Sequence, residues 1–180
     1  DDEAVEPEEL QKYINQYLPE DIAVTGVVAA GERFHSRLNA TGKTYEYHLI
    51  PYGTYDVFAR KYAWQMTEPL DIEAMREAAG HVLGSHDFRS FCTKAAKKKS
   101  TIRTIRLLEI YETKNEIVIE ITGNGFLYNM VRILVGTLVE VGMGLRKADD
   151  IPTILEKKER RYAGETAPAC GLFLKQIYYE

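Results

Sequence analysis

One arginine, Arg132, interrupts an otherwise apolar run of the sequence. The run reads Gly123-Asn-Gly-Phe-Leu-Tyr-Asn-Met-Val-Arg-Ile-Leu-Val-Gly136 and meets its next charge only at Glu140. A guanidinium stays charged and is rarely fully buried unless a carboxylate or a phosphate pairs with it. Arg132 therefore predicts an anionic partner. That partner belongs either to a functional site or to an ordinary structural ion pair, unless the side chain simply extends to the surface.

A second candidate lies in a segment where tyrosines alternate with polar residues. Residues 43–50 read Lys-Thr-Tyr-Glu-Tyr-His-Leu-Ile, and the two-residue period of a strand places Tyr45 on the same face as Lys43. Lys43 and Arg37 are cations beside Tyr45, which makes them candidates for phosphate contacts. Alternating tyrosines are also common in strands that only pack into a core, so spacing alone leaves both interpretations open.

The densest basic run of the chain follows residue 93. It reads Lys-Ala-Ala-Lys-Lys-Lys, in a protein of 180 residues with a net charge of −4. The net charge argues against nonspecific coating of nucleic acid, but it permits a local basic groove. The run is either a solvated loop or a phosphate-binding rim. Its candidate residues are Lys94, Lys97, Lys98 and Lys99.

Several function classes are disfavoured by the remaining composition. Cys92 and Cys170 have no CxxC spacing, which predicts reduced thiols in a cytoplasmic protein. The four histidines show no ligand pattern, so no metal site is predicted. Residues 126–143 are apolar but short and charged for a membrane span, so a buried helix and no membrane association are expected.

The pattern of elements predicts an α+β fold, with a mixed, mainly antiparallel sheet and helices packed on one face. Its order is β-β-β-α-β-β-α-α-β after an amino-terminal helix. The periodicity predicts strands at 22–29, 43–50, 60–66, 101–112, 116–122 and 171–179, and helices at 7–17, 71–83, 126–141 and 149–159.

Three motifs together resemble the tRNA pseudouridine synthase A family. They are Phe34-His-Ser-Arg followed by Ala40-Thr-Gly-Lys-Thr-Tyr-Glu-Tyr47, then the segment from Asn124 to Arg132, and then Gly171-Leu-Phe-Leu. Each motif alone is weak, whereas the ordered set is specific and extends over essentially the whole chain. The resemblance implies a pseudouridine synthase-like half fold and the isomerisation of uridine in the anticodon stem-loop of tRNA, at positions 38 to 40.

The resemblance also implies residue roles. Tyr45 stacks on the flipped uracil and takes part in proton transfer, Leu172 packs against the target ring, and Arg132 pairs with and orients the catalytic aspartate. Phe126 and Asn129 face the same cleft. The basic residues bind RNA phosphates. The resemblance further implies a homodimer that binds tRNA across both subunits, and no cofactor.

One part of the family pattern is missing. The catalytic aspartate of the family lies in a Gly-Arg-Thr-Asp-Ala-Gly-Val-His motif, and no such motif occurs in this sequence. We therefore expect residues 1–180 to be the carboxy-terminal region of the enzyme, with the nucleophile outside the chain. We expect this region to be inactive alone.

A binding protein without catalysis is the alternative interpretation. A mixed sheet with exposed tyrosines and a basic loop could stack single-stranded bases, as other sheet-based RNA-binding domains do. A pure binding domain has no evident need for an arginine inside an apolar helix. Arg132 therefore favours the enzyme.

Overall fold

The structure is a computed structural model that describes residues 5–93 and 100–179. The chain divides into two compact units, residues 1–39 and residues 40–180. The predicted phosphate ligands Lys94, Lys97, Lys98 and Lys99 lie outside the described residues.

The first unit contains helix α1, Pro7–Asn15, and an extended segment after it. The strand predicted at 22–29 is wrong, because this segment pairs with no strand in the described part of the unit. Side chains of α1 form hydrogen bonds with the backbone of the extended segment instead. Val24 donates its N–H to Asn15 Oδ1 at 2.8 Å and accepts from Gln11 Nε2 at 3.1 Å. Ile22 and Val28 are exposed, with Val28 at 86%, and none of the segment's β-branched residues is fully buried.

A six-stranded sheet forms the centre of the second unit. Strand β1 pairs antiparallel with β5 on one side, and β5 continues to β4 and β3. On its other side β1 pairs antiparallel with β6 and, at its end, parallel with the short β2. The strands are β1 (Ala40–Ile50), β2 (Trp64–Gln65), β3 (Gly84–Asp87), β4 (Ile102–Glu112), β5 (Ile117–Gly123) and β6 (Leu172–Tyr179).

Three helices of this unit contribute to one hydrophobic core with the sheet. They are α2 (Ile72–Gly80), α3 (Met130–Gly142) and α4 (Asp150–Lys157). Helix α3 is apolar on nearly all sides, and 11 of its 13 residues are buried, as expected of a helix inside a core. No helix in the described residues is long and apolar enough to cross a membrane. The predicted α+β class is confirmed.

The alternation predicted for β1 is also confirmed. Tyr45 and Tyr47 face the core, whereas Glu46 faces the opposite side of the sheet. There Lys175 Nζ lies 2.8 Å from Glu46 Oε1 and 2.7 Å from Glu120 Oε2. The hydrogen bond from Lys175 is the main cause that lowers the pKa of the Glu46 carboxyl. One face of the sheet is therefore apolar and the other carries ion pairs.

Candidate active site

The candidate site lies at the amino-terminal end of α3. The helix was predicted from Phe126, but it begins at Met130. Asn129 precedes it in the left-handed region, with φ of 61°. Asparagine is one of the few residues that tolerate this conformation, which reverses the chain direction before the helix. Phe126 therefore lies in the loop between β5 and α3, and Asn129 lies in the turn directly before the helix.

Arg132 lies in the first turn of α3 and is half-buried. Its Nε donates a hydrogen bond to the carbonyl oxygen of Ala167 at 2.6 Å, and the Ala167 N–H donates to the Arg132 carbonyl at 3.1 Å. In residues 5–93 and 100–179, no carboxylate forms an ion pair with Arg132. One edge of the guanidinium is thus fixed to the backbone, and its two Nη groups remain for another partner.

The segment 163–167 runs along α3 and fixes the position of Ala167. Gly164 donates its N–H to Thr137 Oγ1 at 2.9 Å, and Glu165 donates to Glu140 Oε1 at 2.8 Å. Helix α3 and this segment approach so closely at Gly136 that a Cβ there would lie 1.9 Å from the Glu165 carbonyl oxygen. Glycine is therefore required at this position. The segment leads through Pro168 into β6.

Strand β1 supplies an aromatic side chain. The Tyr45 ring meets Phe126 edge-on, with ring centroids 5.1 Å apart and planes at 88°. Burial raises the pKa of the Tyr45 phenol, so the hydroxyl is neutral at physiological pH. That hydroxyl has no hydrogen-bond partner among the described residues. Every buried polar side-chain atom of those residues does have a partner, so the Tyr45 hydroxyl cannot be one of the buried atoms. The hydroxyl is therefore accessible to a ligand.

These elements enclose one pocket of about 110 Å³. Its walls are mainly apolar, with a guanidinium, a phenol and an amide as polar groups. Such a pocket can hold a planar ring against aromatic and aliphatic side chains and can present a cation to a carboxylate. The lining residues are Tyr45, Phe126, Leu127, Asn129, Met130, Val131, Arg132 and Leu172.

Comparison with known proteins identifies the family of this chain. The sequence model described as tRNA pseudouridine synthase matches residues 78–180. The chain is 46% identical over 166 residues to a protein named tRNA pseudouridine synthase A 1 from Bacillus cereus, covering 92% of this chain and 67% of that protein. The chain belongs to the tRNA pseudouridine synthase family.

Other relatives in the family agree. A protein named tRNA pseudouridine synthase A 2 from Bacillus cereus is 43% identical over 178 residues, which cover 99% of this chain and 73% of that protein. The protein of the same name from Bacillus anthracis has the same identity and coverage. The chain therefore spans roughly two thirds to three quarters of these synthases.

The structure brings together five of the site residues that were predicted from the sequence. Tyr45, Phe126, Asn129, Arg132 and Leu172 all line the pocket, although they come from β1, the turn before α3, α3 itself and the start of β6. Their proximity is a structural finding. Their roles remain predictions.

Two predicted phosphate ligands are placed differently. Lys43 lies two residues before Tyr45 on the same strand and is half-buried, but it does not line the pocket. Arg37 belongs to the first unit, where it is exposed and its backbone N–H donates to His35 Nδ1 at 3.2 Å. As for a metal, no group of three His, Cys, Asp or Glu residues in the described ranges could hold one.

Sequence reasoning missed a group of basic residues beyond Asn129. Asn129 Nδ2 donates to Thr93 Oγ1 at 3.3 Å, and Thr93 lines a larger cleft. The available signal was the segment Lys157-Lys-Glu-Arg-Arg161, with four cations in five residues. Its acidic neighbours made the segment resemble an ordinary solvated helix end. The cleft residues are Arg89, Cys92, Thr93, Lys158, Glu159, Arg160 and Arg161.

Proposed function

We propose that this chain supplies the uracil-binding side of the active site in a tRNA pseudouridine synthase that modifies the anticodon arm. The intact protein, as a member of the family, is an isomerase that converts uridine to pseudouridine. The observation that carries the proposal is the pocket in which Tyr45, Arg132 and Leu172 meet. Its size and its apolar walls suit a single base that has left the stack.

The reaction needs little beyond positioning and proton transfer. The target uridine flips into the pocket, and an aspartate attacks it to form a transient covalent bond. The bond between N1 of uracil and the sugar breaks, the ring turns, a new bond joins C5 to the same sugar carbon, and the bond to the aspartate breaks again. The proton on C5 leaves and N1 gains one, so the reaction is balanced without a cofactor.

Each pocket residue has a proposed part in this sequence. Leu172 and the Tyr45 ring hold the uracil between them, and the neutral Tyr45 hydroxyl assists proton transfer at C5. The free Nη groups of Arg132 pair with the aspartate, which keeps that carboxylate ionised and oriented. We assign the aspartate to a segment outside residues 1–180, because the sequence lacks the family's Gly-Arg-Thr-Asp motif.

The proposed assembly rests on the resemblance to the family. We propose that the enzyme is a cytoplasmic homodimer and that the anticodon arm of tRNA binds across both subunits. Lys43 and Arg37 are proposed phosphate contacts, since both are cations next to the motif that carries Tyr45.

Tritium release from tRNA with 5-tritiated uridine tests the function. Residues 1–180 are compared with a polypeptide extended at its amino end to include the Gly-Arg-Thr-Asp segment. We expect release by the extended protein only, because the nucleophile is essential. Tight tRNA binding without release by either protein would overturn the synthase proposal in favour of an RNA-binding domain.

Replacing Tyr45 by phenylalanine in the extended protein tests the role of its hydroxyl. The Tyr45→Phe variant keeps the edge-on contact with Phe126, so we expect little change in stability or in tRNA affinity. We expect kcat to fall about 10²-fold, the usual scale for a lost proton-transfer group. Single-turnover tritium release measures this effect.

Tyr111 provides the matched control on the opposite face of the sheet. Its hydroxyl donates to Glu46 Oε1 at 3.3 Å, and the residue does not line the pocket. Tyr111→Phe removes the same chemical group, so we expect kcat to stay near that of the wild type. Full activity of Tyr45→Phe would remove the hydroxyl from the mechanism.

A further inference from the structure

The basic cleft next to the active-site pocket has no assigned role. It has a volume of about 440 Å³ and lies between the 3-10 turn Phe88–Phe91 and the 3-10 turn Arg160–Tyr162. Four cations line it, Arg89, Lys158, Arg160 and Arg161, against a single carboxylate. In a chain with a net charge of −4, this is a local excess of positive charge.

Intramolecular partners fix some of these cations. Arg160 is half-buried, and its two Nη groups donate to the Ala163 carbonyl oxygen and to Thr166 Oγ1, each at 3.1 Å. Arg161 lies over the Tyr162 ring, with its guanidinium carbon 5.1 Å from the centroid. A stacked guanidinium keeps its N–H groups directed to one side at little cost in side-chain entropy.

Three of the four cations, Arg161 among them, still have N–H groups that a ligand could reach. Arg89 is exposed, and its guanidinium forms no hydrogen bond or ion pair with the described residues. Lys158 pairs with the half-buried Asp87 at 3.3 Å and Arg161 pairs with the exposed Glu159 at 2.9 Å, but both cationic side chains are more than half exposed, so these pairs are weak. A doubly coordinated phosphate would compete well with such partners.

The cleft adjoins the uracil pocket. Thr93 lines the cleft and accepts a hydrogen bond from Asn129, which lines the pocket. The backbone of a strand whose base occupied the pocket would therefore lie within reach of the cleft. We propose that this cleft binds a backbone phosphate of the tRNA beside the flipped uridine, an inference that rests on the proposed function.

The proposed ligand is a phosphodiester rather than a base. The cleft offers guanidinium and ammonium donors, which match phosphate oxygens in number and geometry. Such contacts position a nucleic acid without reading its sequence. The cleft therefore sets affinity and register, while the pocket acts on the base.

Arg89→Gln and Arg161→Gln, alone and combined, test this proposal in the extended enzyme. We expect each single variant to bind tRNA roughly tenfold more weakly, the usual effect of losing a charged hydrogen bond, and the double variant to bind about a hundredfold more weakly. The salt dependence of log Kd should fall by about 0.7 to 0.9 for each lost phosphate contact. The effect should appear in KM more than in kcat, and Arg89→Lys should restore most of the affinity.

Lys114→Gln is the matched control. It removes one exposed positive charge in the turn between β4 and β5, at the end of this hairpin away from Gly123 and the pocket. An unchanged Kd and salt slope in the double variant, equal to those of Lys114→Gln, would overturn the proposal. Pseudouridine formation by the unsubstituted enzyme in the same assay shows separately whether the proposed function holds.

Discussion

Arg132→Lys is expected to lower kcat of the extended enzyme about 10²-fold, the scale for a catalytic group that is misplaced by about 1 Å. Lysine keeps the positive charge but cannot donate from Nε to Ala167 while presenting two further N–H groups to a carboxylate. The aspartate would then be poorly oriented. Single-turnover tritium release measures the loss, and tRNA affinity measured in parallel separates it from a binding defect.

A structural role for Arg132 predicts a different pattern. Arg146 is the control, because its Nε and Nη2 donate to Glu140 Oε2 at 3.0 and 2.8 Å at the far end of α3, outside the pocket. Arg146→Lys should lower the melting temperature without a comparable loss of kcat. If Arg132→Lys lost activity only in proportion to its stability, Arg132 would be a structural residue.

The pH dependence of the residual activity provides a second test of Arg132. A nearby guanidinium lowers the pKa of the attacking carboxyl, which is active only when ionised, that is, above its pKa. Replacing the guanidinium by a neutral group in Arg132→Gln raises this pKa, so the acid limb of that variant's rate profile should move to higher pH. An unmoved acid limb would contradict the proposed ion pair.

The site could be predicted largely from sequence because short motifs carry it. Arg132 was conspicuous as a charge in an apolar run, and Tyr45 was conspicuous by its strand period. Their proximity in the pocket follows from the pairing of β1 with β5 and from the short connection between β5 and α3. Periodicity alone could not give that proximity; the resemblance to the family did.

The errors in the fold have local physical causes. The segment 22–29 has the composition of a strand, but a strand needs a partner, and side chains of α1 bind its backbone instead. Of the strand predicted at 60–66, only Trp64–Gln65 forms a strand, β2, which follows the 3-10 turn Ala59–Lys61. The missed strand β3 is the polar sequence Gly-Ser-His-Asp, which pairs with β4 despite its low strand propensity.

The basic cleft shows a further limit of sequence patterns. The predicted cationic site was the lysine run 94–99, which lies outside the described residues and remains a prediction. The cleft that the structure reveals combines Arg89 with Lys158 and Arg161, which are separated by about 70 residues in sequence. Only the fold places such distant charges together.

Gly136→Ala is expected to destabilise the protein by about 3 kcal/mol, at the upper end of the range for overpacked cores. The added Cβ would lie 1.9 Å from the Glu165 carbonyl oxygen and 2.9 Å from its carbon, both backbone atoms that no side-chain rotation can move. The segment 163–167 must therefore shift away from α3. Denaturant unfolding measures the change in free energy of unfolding.

This shift also links stability to catalysis. The displaced segment includes Ala167, whose carbonyl oxygen fixes Arg132. Gly136→Ala should therefore reduce kcat even at temperatures where the variant is fully folded.

Gly80→Ala is the matched control, because Gly80 ends α2 and a Cβ there meets nothing within 4 Å. We expect that variant to be unchanged or up to about 1 kcal/mol more stable, with normal activity. If the two alanine variants had the same free energy of unfolding and the same kcat, the close contact between α3 and the segment 163–167 would not control the position of Arg132.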